Sequence, residues 1–98
     1  MTRSISFDAS AQLELDEAAD FYDLESPGLG AEFLDTVEAA LHSLLEFPES
    51  CSVLLGETRK LVLERFPYSV MYWIDGDVIA VSVIAHQRRR PGYWRDHS

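Results

Sequence analysis

Ser69 to His86 reads SVMYWIDGDVIAVSVIAH, two apolar runs either side of Asp75-Gly76. Val, Ile, Tyr and Trp suit a pleated, half-buried surface, and Asp-Gly between such runs is a strong two-residue hairpin signal. A loop between Ile74 and Asp77 sets an expected register in which Tyr72 faces Ile79 and Val70 faces Val81. Those four side chains share one face of the sheet. The other face carries Met71 with Ala80 and Ser69 with Ser82, running on towards His86. It is less uniformly apolar. The first face is therefore expected to meet a helical layer, and the second to be at least partly open.

Outward from this hairpin, the upstream run RKLVLERF alternates through Leu61 and Leu63 and predicts a third strand. Further upstream the period changes. Ala11, Leu15, Ala18 and Tyr22 recur at helical spacing, as do Phe33, Val37, Leu41 and Leu44, broadened by Leu34 and Leu45. ESPGLG, Glu25 to Gly30, breaks the two helices, and Pro48 closes the second. At the start, SISFD places Ile5 and Phe7 on one face of a short strand, with Asp8 or Ser10 able to cap the first helix. The order is β-α-α-β-β-β. It predicts an α+β fold, an antiparallel sheet packed on an N-terminal helical hairpin, in one domain over residues 1–98.

Composition agrees with a folded globule: of 98 residues, 47% are hydrophobic and 11% aromatic. The N-terminal MTRSISFDAS has no apolar signal region, and the longest apolar run, Ile79 to Ala85, is too short to cross a bilayer. Cys51 is the only cysteine, which removes internal disulfides and cysteine metal sets. A reducing, cytoplasmic location is expected, with no membrane role and no cofactor or metal. Gly28 and Gly30 lie in a helix–helix turn and not after a strand, so they are no phosphate loop.

The net charge is −9, and it is divided unevenly. Up to Thr58 one base, Arg3, stands against thirteen acids, a net −12; from Arg59 onward seven bases stand against four acids, a net +3. The positive charge gathers in AHQRRRPGYW, Ala85 to Trp94. Arg88, Arg89 and Arg90 could be a solvated exit from the last strand. However, the Pro-Gly bend followed by Tyr93 and Trp94 predicts a tail folded back to bury its aromatics, holding the arginines in place. Basic residues interleaved with aromatics suit phosphate backbones, stacked bases or acidic partner surfaces. Of the histidines, His42 sits mid-helix among acids and His97 near the terminus; only His86, at a strand end, is placed to act, or else to be satisfied by backbone.

RFPYSVMYWIDGDVIAVSVIAHQRRRPGYW, Arg65 to Trp94, with AADFYDLESPGLGAEFLDTVEAAL and FPES before it, resembles the RelE/ParE toxin superfamily of bacterial type II toxin–antitoxin systems. The resemblance spans nearly the whole chain. It implies the β-α-α-β-β-β plan, a cytoplasmic toxin, a role of the plasmid-stabilization kind, and neutralisation by a cognate antitoxin whose flexible segment folds onto the toxin. It implies two targets. RelE-like members cut mRNA in the ribosome; ParE-like members inhibit DNA gyrase by binding. A nuclease would draw on Arg65, His86, Arg88 and Tyr93 for cation and proton-transfer roles. Counted without a gap, the family's tyrosine position falls on Trp94, which cannot act as an acid or base, with Tyr93 one residue early. A net −9 also opposes entry into rRNA. The ParE-like reading is therefore preferred, with Arg88, Arg89, Arg90, Tyr93, Trp94 and Arg95 facing the target and Arg59, Arg65, Arg88 and Arg90 facing the antitoxin. The alternatives are a RelE-like endonuclease and a degenerate member that binds only its antitoxin.

Overall fold

The computed structural model describes residues 3–87. Strand β1 (Ser4–Phe7) leads into helix α1 (Ala9–Glu25), which is followed by α2 (Leu29–Glu46), β2 (Val53–Leu55), β3 (Thr58–Val62), β4 (Tyr68–Asp75) and β5 (Val78–His86). The five strands form one sheet in the order β1-β5-β4-β3-β2, and the two helices lie on one face. β1 runs parallel to β5; every other pairing is antiparallel.

Both helical stripes face the sheet as the spacing predicts. Ala11, Leu15 and Ala18 of α1 and Phe33, Val37, Leu41 and Leu44 of α2 are buried against Val70, Tyr72, Ile79 and Val81. Each large apolar side chain so buried contributes about 1.5–3 kcal/mol relative to exposure. Leu34, by contrast, remains exposed. Asp8 rather than Ser10 occupies the N-cap of α1, in extended backbone, and the Ser10 hydroxyl donates to its carboxylate at 3.2 Å.

The two helices touch where Gly30 meets α1. Its N–H donates to Asp23 Oδ1 at 2.8 Å, and a Cβ there would collide with the Ala19 carbonyl oxygen. Gly28, at φ +89°, makes the left-handed turn between them.

The β4–β5 hairpin differs from the sequence expectation in two places. First, the β4–β5 turn residues are Gly76 and Asp77, with Asp75 paired to Val78, so Tyr72 meets Val81, Ile74 meets Ile79 and Trp73 meets Ala80. Gly76 has φ +57° while Asp77 does not lie at positive φ. That is the pattern of a II′ turn, with glycine first, and not of the I′ turn implied by reading Asp-Gly as the two loop residues. The pairing moves by two residues, so each side chain keeps its face. Second, β5 carries a bulge. Pairing jumps from Tyr72–Val81 to Met71–Val83, leaving Ser82 as the extra residue. Val81 and Ile84, three residues apart, can therefore both enter the core, and Val70 meets Ile84 instead of Val81.

β2 is a strand that the alternation pattern did not suggest. It is short, exposed along its length, and joined to β3 through Gly56 at φ +57°. On the face away from the helices, Trp73 and Val62 are exposed while Ser69, Met71 and Ala85 are buried. Among the described residues, Ser69 Oγ is buried with no hydrogen-bond partner.

Candidate functional site

The bulge and the short β1 together create a cleft. β1 stops pairing at Phe7–Val81, and Asp8 N–H closes it by donating to the Val81 carbonyl at 2.9 Å. Beyond Val81, among the described residues, no strand covers that side of β5. The Ile84 N–H reaches instead to α1, where Glu14 Oε1 accepts it at 3.1 Å. A carboxylate taking a backbone N–H replaces a missing ladder bond with a charge-assisted one. Between α1 and the end of β5 lies a cleft of about 250 Å³ bordered by Glu14, Glu17, Phe21, Tyr68 and His86.

His86 is half-buried and pairs with Tyr68 across the hairpin, their rings edge to face with centroids 5.1 Å apart. Tyr68 belongs to an aromatic cluster with Tyr22, Phe33 and Phe66. Burial, and then the neighbouring Tyr68 hydroxyl, raise the Tyr22 phenol above its ordinary pKa. The cluster fixes the start of β4 against both helices and so holds His86 at the mouth of the cleft.

The two described arginines that the resemblance points to are each engaged elsewhere. Arg59, partly buried on β3, donates from Nη1 to the Cys51 carbonyl at 2.6 Å and the Glu49 carbonyl at 3.4 Å, which staples the α2–β2 connection to the sheet. Tyr72 supports the same connection from beneath, its hydroxyl donating to the Pro48 carbonyl at 2.8 Å. Burial pushes the Tyr72 phenol well above its ordinary pKa. Arg65 pairs with Glu32 of α2 at 2.9 Å and sits 5.4 Å from the Phe66 ring centroid, a cation–π distance. The salt bridge is exposed on both sides, so it is worth little by itself. Arg65 does not line the cleft that holds His86. Arg88, Arg89, Arg90, Tyr93, Trp94 and Arg95 lie outside the described residues. The contribution of Glu14 and Tyr68 went unread in the sequence. An acid on the edge of an apolar helical stripe was the available signal for Glu14, and the register opposite His86 was the signal for Tyr68.

Among the described residues, no group of His, Cys, Asp and Glu could hold a metal ion, and no helix is long and apolar enough to cross a membrane.

Residues 5–91 match the family described as "ParE toxin of type II toxin-antitoxin system, parDE". The chain belongs to the ParE toxin family. The match takes in the sheet, the helical hairpin and the cleft. A solved structure titled "Chromosomal ParDE TA system from P. aeruginosa" is similar to this ParE-family chain at 20% identity and a TM-score of 0.75, covering 87% of this chain and 96% of that one. At that identity the likeness establishes the fold, two helices packed against a five-stranded α+β sheet. No curated protein matches the chain in sequence. As a member of the ParE family the chain is a type II toxin by kinship.

Proposed function

We propose that this chain is the toxin of a type II toxin–antitoxin pair, kept inactive by an antitoxin encoded beside it, and that it acts in the cytoplasm by binding DNA gyrase. The observation that carries the reading is the ParE family match across residues 5–91. Chemistry supports binding over catalysis. The described arginines are engaged with protein carbonyls and with Glu32, which leaves them poorly placed to stabilise a phosphorane. Trp94 stands where a nuclease of the superfamily would want a tyrosine, and a molecule of charge −9 is repelled by rRNA at long range. Arg88, Arg89 and Arg90 then serve as a local docking patch for the target, with Tyr93, Trp94 and Arg95 beside them.

One observation favours the RelE-like reading: His86 sits beside Tyr68 at an acid-lined cleft, a pairing that could move a proton. Two assays separate the readings. Purified protein should inhibit gyrase supercoiling and leave mRNA intact on translating ribosomes; on either reading, expression of the chain should stop growth in a way that co-expression of the adjoining gene reverses. Cleaved mRNA with supercoiling untouched at excess protein would overturn the gyrase reading in favour of the nuclease.

A further inference from the structure

Helix α1 turns its small residues inward and its large ones outward. Ala11, Ala18 and Ala19 face the core with Leu15, while Leu13, Phe21 and Leu24 are 59%, 54% and 88% exposed. At 3.6 residues per turn, Leu13, Glu17, Asp20, Phe21 and Leu24 fall in one arc directly opposite the buried set. From Leu13 to Leu24 the arc runs about three turns, roughly 16 Å. Its middle is acidic, and its flank at Glu17 and Phe21 opens into the cleft beside β5. Leu13, Phe21 and Leu24 thus leave three large apolar side chains exposed along one outer stripe, with the carboxylates of Glu17 and Asp20 between them.

We infer that this stripe docks a short basic amphipathic helix of the neutralising partner. Apolar side chains of that helix cover Leu13, Phe21 and Leu24, and a lysine or arginine between them meets Glu17 and Asp20. The inference rests on the antitoxin reading above and specifies the polarity of the segment. Spacings of three and four along the stripe are matched by a second helix, whose own side chains repeat at the same interval. Charge selects among the possible occupants. In a second copy packed about a two-fold axis, Glu17 and Asp20 would lie against their own equivalents with no counter-charge. An acidic segment would approach a half-chain carrying a net −12. A basic segment is attracted, so the charges speed its approach and set its register while the apolar ends supply affinity.

The test uses the intact chain with the product of the adjoining gene. Glu17→Lys and Phe21→Ser change exposed side chains, and circular dichroism verifies that each variant folds. Calorimetry should then show complex affinity at least tenfold weaker for each. The Glu17→Lys complex should also respond less to salt than the unsubstituted complex. Hydrogen exchange should place protection on α1 and on a basic stretch of the partner, and Lys→Glu or Arg→Glu within that stretch should restore binding to Glu17→Lys. A complex indifferent to both variants overturns the inference and leaves the toxin–antitoxin reading standing. So does an acidic partner stretch in contact with α1, or a self-dimer that Phe21→Ser breaks. If the unsubstituted chain forms no complex and causes no growth arrest, the toxin–antitoxin reading itself fails and the inference falls with it.

Discussion

Gly30→Ala tests whether the helical hairpin is held by close backbone approach. In most helices this change stabilises, because alanine exceeds glycine by about 1 kcal/mol in helix propensity. Here the added Cβ would overlap the Ala19 carbonyl oxygen and come within 2.8 Å of the Asp23 carboxyl group. The carbonyl belongs to the backbone of α1 and cannot rotate away, so α2 has to move. Overpacking of this kind costs about 1–3 kcal/mol. Moving α2 also stretches the 2.8 Å bond from Gly30 N–H to Asp23 Oδ1, and a hydrogen bond to a charged group is worth about 1.5–3 kcal/mol. Set against the propensity gain, the net loss is about 1.5–5 kcal/mol, centred near 3. For a chain of 98 residues that corresponds to a drop in melting temperature of roughly 10 °C or more. Urea unfolding followed by far-ultraviolet circular dichroism, with a thermal melt beside it, measures both. An unchanged or raised midpoint would refute the reasoning, since it would mean that the helices are not in contact at Gly30. Gly28→Ala is the control: nothing lies within 4 Å of its missing Cβ, and only its φ of +89° opposes the change, so it should lose about 1 kcal/mol.

Tyr72→Phe removes the bond to the Pro48 carbonyl and should cost about 1–2 kcal/mol in chemical denaturation, with an unchanged midpoint counting against that bond. Tyr72 and Tyr22 both have phenols raised above the ordinary 10.0. The unfolded chain therefore ionises first, so their stabilising contribution is full below about pH 10 and is lost progressively above it. Melts from pH 8 to 12 should show that fall, and Tyr72→Phe should flatten it; an identical slope in the variant would argue against a buried phenol. Ser69→Ala relieves a buried hydroxyl that has no partner among the described residues and should be neutral or stabilising by up to about 1 kcal/mol, whereas a clear loss would reveal a bond to that oxygen. Charge reversal at Arg90 should abolish growth arrest without changing the melt of the purified chain, and arrest that persists would remove the arginine cluster from the target surface.

Much of the architecture was legible in residue order. The stripes Ala11–Leu15–Ala18 and Phe33–Val37–Leu41–Leu44 name their buried faces because a helix repeats every 3.6 residues, and Val70, Tyr72, Ile79 and Val81 name theirs because a strand repeats every two. Those periods are local properties, so the sequence carries them unaided, and so does the division of charge. Gly56-Glu57 before Thr58 repeats the Gly76-Asp77 turn pattern and could have disclosed β2. Other features depended on the tertiary structure. A hairpin can slide by two residues without moving any side chain to the other face, so patterning alone could not distinguish the observed register from the expected one. The Ser82 bulge, the parallel placement of β1 and the early end of its pairing arise from how the sheet closes on two helices. From them follows the Ile84 N–H that Glu14, seventy residues away in the chain, accepts. The cleft at His86 and the engagement of Arg59 and Arg65 are likewise relations between distant segments. A residue's type states what chemistry it can do; only the packing of the whole chain decides which neighbours that chemistry meets.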